Sequence, residues 1–208
     1  MYLSKLTLDP RHPQARCDLG DAYEMHRTLV RAFAPDPETA PPRFLWRLEM
    51  GMNSPANVLV QSDVPADWSP IAALSGYATK IQGNKQVDLG CFIQAGGRYR
   101  FRLKANPTVT RAGKRYGLTS EDEQLAWLAR QGERHGFSVL GCVRGSSERI
   151  QVRQGNSGHR ITVHSVLLDG MVEVQEVAIF EQVVRNGLGH AKALGMGLFS
   201  IAKVSVAG

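Results

Sequence analysis

RYRFRLKANP, residues 98–107, decides the fold. Successive side chains of an extended chain point to opposite faces, so Arg98, Arg100, Arg102 and Lys104 share one face while Tyr99, Phe101 and Leu103 fill the other. The next periodic stretch, TSEDEQLAWLARQGERHG (119–136), reads as a helix with Thr119 or Ser120 as its cap and acids in its first turn. Strands follow in FSVLGCVR, IQVRQ, ITVHSVLLDG and MVEVQ, then a helix near 176–186 and a last strand at 198–204. Working backward, Gly90, Gly96 and Gly97 mark a linker. Before it come a strand at 1–8, a helix at 22–34, and strands near 43–49, 57–62 and 77–82. Each half is thus β-α-β-β-(α)-β, the ferredoxin-like order. The expected class is α+β: two tandem ferredoxin-like (βαββαβ) domains, 1–92 and 96–208, with a cleft between their sheets.

Composition narrows the partners. Twenty-five Lys and Arg against nineteen Asp and Glu give a formal charge of +6, and 43% hydrophobic residues are enough for ordinary cores. A basic surface of this kind most often meets nucleic acid. The cations gather at RYRFRLK (98–104), RAGKR (111–115) and ERIQVRQGNSGHR (148–160). With no carboxylate among the four cations on the strand face, that face is expected to favour a polyanion, and Lys104 is a candidate contact. The absence of an apolar run of 18 residues argues against a membrane span, and MYLSKLTLDP lacks the build of a signal peptide. Cys17, Cys91 and Cys142 are odd in number and far apart, which fits free thiols in the cytoplasm. Neither CxxC nor HExxH occurs, so no metal and no cofactor is expected.

In the first helix, Asp21 followed by Glu24 resembles a capping box. Ala22, Met25, Leu29 and Phe33 form an apolar stripe at helical spacing. Tyr23 and His26, three apart, lie together beside it, with Arg27 and Arg31 continuing the polar flank. A phenol, an imidazole that exchanges protons near neutrality and two guanidiniums form a group suited to phosphodiester cleavage.

The other motif is GLGHAKALGMGLFS (187–200). Glycines let backbone amides approach a phosphate, and Lys192 adds a point charge, so Gly189 and Lys192 are candidate anion contacts. A Walker loop is excluded because Ala193 and Leu194 follow the lysine, and a dinucleotide fingerprint because the loop leaves a helix and enters a strand. Helix capping and turns explain the same glycines without a ligand.

Five segments in order, MYLSKLTL (1–8), YEMHRTL (23–29), FRLKANP (101–107), EQLAWL (123–128) and GLGHAKALGMGLFS (187–200), resemble the CasE family of CRISPR-associated endoribonucleases over nearly the full length. The resemblance implies metal-independent cleavage at the 3′ base of a CRISPR repeat RNA stem-loop, with other Cascade subunits as partners. It places Tyr23 and His26 at the family's active-site positions and the Gly187–Gly197 loop at its glycine-rich signature. Residues 148–160 correspond to a hairpin that meets the RNA stem in relatives, which makes Arg153 and Arg160 stem-binding candidates by position. Some relatives carry lysine and serine where this chain has Arg31 and Ala34; Arg31 keeps the charge, and Ala34 drops the hydroxyl. The alternative reading is a catalytically silent RNA-binding subunit.

Overall fold

The computed structural model describes residues 1–34, 36, 38–51, 54–153 and 160–204. They form two compact units, built mainly from Met1–Val87 and from the chain after Asp88, with Ala193–Gly195 counted in the first.

The first unit runs β1 (Tyr2–Leu8), α1 (Pro13–Gly20), α2 (Ala22–Val30), β2 (Phe44–Gly51), β3 (Ser54–Ser62), α3 (Ser69–Ala72) and β4 (Ala78–Gln86). Its sheet order is β2-β3-β1-β4, antiparallel throughout, with Leu6 facing Val58 and Ile81 across the ladder. This is the ferredoxin-like arrangement. Leu6, Leu8, Val58, Val60 and Trp46 pack with Met25 and Leu29 of α2 as a buried core, and full burial of each such side chain contributes about 1.5–3 kcal/mol. Two elements differ from expectation. Residues 13–20 form a separate helix before α2, opened by Pro13 at its first position, where a missing N–H costs nothing. The second helix shrinks to the four residues of α3.

The second unit runs α4 (Leu89–Phe92), β5 (Arg98–Ala105), β6 (Thr108–Arg111), β7 (Lys114–Gly117), α5 (Glu121–Arg134), β8 (Phe137–Arg153), β9 (Arg160–Val174), α6 (Val177–Asn186) and β10 (Phe199–Lys203). Its four-stranded sheet has the order β10-β5-β9-β8, the same topology again. Tyr99, Phe101 and Leu103 of β5 are buried as the alternation requires, against an aromatic cluster of Phe137, Phe180 and Phe199. Ser120 caps α5, its hydroxyl accepting from the Glu123 amide at 3.3 Å and donating to the Glu123 carboxylate at 2.9 Å.

Gly170 does not break β9, although Asp169-Gly170 reads as a turn. A side chain there would collide with the Gly141 carbonyl and the Phe101 ring, so the glycine serves close strand packing. The cationic face of β5 is also corrected. Arg98 pairs with Glu173 at 2.8 Å and Arg102 with Asp169 at 2.7 Å, both carboxylates supplied by β9. No carboxylate is near in sequence, but two are opposite in register.

Candidate active site and nucleic-acid interface

α2 is set by its cap and its buried stripe. The Asp21 carboxylate accepts from the Tyr23 amide at 2.8 Å, satisfying one of the open donors of the first turn. Glu24 turns to Arg27 at 3.0 Å instead of closing the box. Met25 and Leu29 are fully buried, which leaves Tyr23 and His26 half-buried at the stripe's edge and Arg27 and Arg31 exposed. The helix is tied to the sheet's β4 end by Tyr77, whose hydroxyl donates to the buried Asp18 carboxylate at 2.6 Å and lies 3.9 Å from the Met25 sulfur. Burial and the Asp18 carboxylate push the Tyr77 phenol well above its usual range, so it stays a donor.

The His26 imidazole stacks on Phe44, ring centroids 5.0 Å apart and planes 18° from parallel. Phe44 stacks in turn on Phe33 at 4.6 Å, and Phe33 meets Trp68 edge-on at 6.3 Å. His26 Nδ1 is buried without a hydrogen-bond partner among the described residues. A charged ring would donate from that nitrogen and finds no acceptor there among the described residues, so burial holds the imidazole below its ordinary pKa. The resting ring is neutral, the form that accepts a proton.

In the second unit the chain leaves α6 at Gly187, whose amide donates to Val183 at 2.8 Å. The loop closes on itself where the Leu188 amide donates to Gly197, and it is fixed to β5 where the Gly197 amide donates to the Lys104 carbonyl at 2.7 Å. Gly197 has φ +87°, and a Cβ there would come within 2.8 Å of the Leu188 carbonyl and 3.2 Å of the Lys192 stem. Gly189, at φ +80°, lies against the Trp127 ring. These glycines therefore close the loop, and closing it brings Lys104 and Lys192 to the same glycine. Lys192 opens a single 3-10 turn, Lys192–Leu194. Its charge reaches both His135 and His190, which burial foremost, then the charges of Arg134 and Lys192 at His135 and of Arg115 and Lys192 at His190, hold below their ordinary pKa. In the first unit the Trp46 indole donates to the Ala193 carbonyl at 3.3 Å.

Tyr23, His26, Arg27 and Arg31 thus share one helix of the first unit, and Lys104, Gly189 and Lys192 belong to the loop region of the second. Arg153 ends β8 and Arg160 begins β9; their side chains, and residues 154–159, lie outside the described residues. Among the described residues no group of three His, Cys, Asp or Glu is placed to hold a metal ion, and no helix is long and apolar enough to cross a membrane. Phe44 is the residue that sequence reasoning missed, and Arg115 entered it only as part of the cationic run 111–115. Phe44 is eighteen positions from His26, and no spacing rule links them.

The family described as CRISPR associated protein matches residues 1–203. The CRISPR-associated endoribonuclease Cse3 of Thermus thermophilus is 38% identical over 216 residues, covering 97% of this chain and 100% of that protein. The CRISPR system Cascade subunit CasE of Escherichia coli is 30% identical over 217 residues, covering 97% and 99%. A solved structure of CRISPR endoribonuclease Cse3 bound to a 19-nucleotide RNA matches with a TM-score of 0.86 at 37% identity, covering 97% of this chain and 100% of that one. With both four-stranded sheets in the same order and a match along the whole described chain, the protein belongs to the CasE family of CRISPR-associated proteins.

Proposed function

We propose that this chain is an endoribonuclease that cuts CRISPR precursor RNA at the 3′ base of the repeat stem-loop and then remains on the processed RNA as a subunit of a Cascade complex. The observation that carries the reading is the neutral, ring-stacked His26 on α2 with Tyr23 one turn away, in a chain related to an endoribonuclease named for CRISPR.

RNA brings its own nucleophile. The 2′-hydroxyl is covalently beside the scissile phosphate, so alignment replaces an external attacking group and no metal-bound water is needed. Neutral His26 takes the 2′-hydroxyl proton as the oxygen attacks phosphorus. The P–O5′ bond breaks as the new P–O2′ bond forms, leaving a 2′,3′-cyclic phosphate and a 5′-hydroxyl once the leaving oxygen is protonated. The Tyr23 hydroxyl, both donor and acceptor, orients or shares that proton traffic. Arg27 and Arg31 offset charge on the phosphorane, and Lys192 is assigned to RNA binding. Arg27 can turn from Glu24 at little cost, because an exposed ion pair is worth at most about 1 kcal/mol. Lys104, Gly189, Arg153 and Arg160 are assigned to RNA binding, the stem being recognised by its A-form shape and phosphates.

The test is cleavage of the repeat stem-loop in excess EDTA by the wild type and by His26→Ala. Metal-free cutting that disappears in the variant while binding survives is the expected result. Cutting only with added metal, or unchanged cutting by the variant, overturns the proposal. Binding without cutting by the wild type would make the chain a silent RNA-binding subunit.

A further inference from the structure

The β6–β7 hairpin has no role in the reading above. It leaves the sheet after Ala105 and returns at Leu118, whose amide donates to the Pro107 carbonyl at 2.9 Å. Its two-residue turn, Ala112-Gly113, has φ +48° and +73°, the left-handed pair of a tight hairpin turn. Every residue from Arg111 to Gly117 is exposed, including Tyr116. The one firm anchor of that tip is at its end, where Gly117 lies so close to the His164 ring that a Cβ would come within 2.7 Å. A two-stranded hairpin that buries so little contributes almost nothing to folding.

The hairpin is one place where the charge of this unit is unspent. Arg98, Arg102, Arg144 and Arg185 each sit on a carboxylate. Arg111, Lys114 and Arg115 have no ion-pair partner among the described residues, and TVTRAGKRYG (108–117) contains no acid. The positive field also extends to the glycine loop: the charges felt by His190 are those of Arg115 and Lys192, both positive. Three free guanidinium and ammonium groups on a projecting ribbon, continuous with the loop that carries Lys192, make a surface for a polyanion with regularly spaced charges.

We propose that Arg111, Lys114 and Arg115 form a second clamp on the phosphodiester backbone of the bound RNA. The inference rests on the chain being an RNA enzyme and adds a contact surface outside α2 and outside residues 148–160. Each phosphate neutralised by a cation releases counterions, so binding through the clamp carries a salt signature that a packing role does not.

The experiment is equilibrium binding of the repeat stem-loop RNA across a range of salt concentrations. It compares the wild type, the triple variant Arg111→Ala/Lys114→Ala/Arg115→Ala, and the charge-keeping Arg111→Lys/Arg115→Lys. The triple variant is expected to lose affinity on the order of 100-fold near physiological salt, and the slope of log K against log[salt] to flatten by about one per lost contact. The charge-keeping variant is expected to hold the wild-type slope. A triple variant with wild-type affinity and slope overturns the clamp, as does a loss of affinity that is the same at every salt concentration. A wild type that does not bind the stem-loop overturns the underlying reading as well, and is separable because it needs no variant.

Discussion

His26 owes its chemistry to a neighbour rather than to its own helix. Phe44 covers one face of the ring and is itself braced by Phe33, while Nδ1 is buried without a partner among the described residues. Replacing the phenyl ring by a smaller side chain lets water reach the imidazole, which raises its pKa toward the ordinary 6.5. On the proposed mechanism the neutral ring is the active form, so Phe44→Leu should move the acid limb of the single-turnover cleavage rate to higher pH and lower the plateau roughly 10-fold through misorientation. An unmoved limb would show that the stack does not set the titration. The same depressed pKa has a sign in stability. The unfolded ring binds its proton at higher pH than the folded ring, so the contribution of neutral His26 is fully present above about 6.5 and is lost as pH falls toward the folded value. Urea unfolding from pH 8 to 5 should therefore show a steeper decline in the wild type than in Phe44→Leu.

At the scale of elements, α2 is held as much by α1 and β4 as by its own residues. The Tyr77 hydroxyl joins the buried Asp18 of α1 and touches Met25 of α2. Tyr77→Phe leaves the Asp18 carboxylate with the Gln14 amide at 2.8 Å but without the phenol, and a buried carboxylate that loses a donor costs about 1–3 kcal/mol. The urea midpoint should fall accordingly, with cleavage weakened more than RNA binding because the proposed proton chemistry sits on α2; a midpoint within error of wild type would refute it. The strands of the two four-stranded sheets and α2, α5 and α6 were legible because their apolar periods are regular and the Asp21 and Ser120 caps are local, whereas the β6–β7 hairpin was not anticipated. The separate α1 was not, since ARCDLG has little apolar period and is buried at only Ala15 and Asp18. β8 and β9 read as four short strands because Gly145 and Gly170 look like breaks, whereas partner strands decide whether a glycine ends a strand. In the candidate site, Tyr23 and His26 were legible as neighbours at helical spacing. Phe44 was not, nor were the carboxylates opposite Arg98 and Arg102, because contacts across strands leave no trace in local sequence.

Over the whole molecule the formal charge of +6 is unevenly spread, because Arg27, Arg98, Arg102 and Arg185 each sit on a carboxylate while residues 108–117 contain no acid. RNA affinity should fall steeply with salt, yet it should be indifferent to a single 2′-deoxy substitution just upstream of the cut, where cleavage should cease. Gel-shift binding beside a cleavage assay on the deoxy RNA checks both, and robust cutting of that RNA would exclude attack by the 2′-hydroxyl. The two sheets share one strand order, β2-β3-β1-β4 and β10-β5-β9-β8, so α5 fills in the second unit the topological slot that α2 occupies in the first. The two helices differ in where they carry charge. α5 opens with Glu121, Asp122 and Glu123, and α2 presents Arg27 and Arg31 on its exposed side. On the function proposed above, the pseudo-repeat is symmetric in topology and asymmetric in work: one half keeps the scissors, the other the grip.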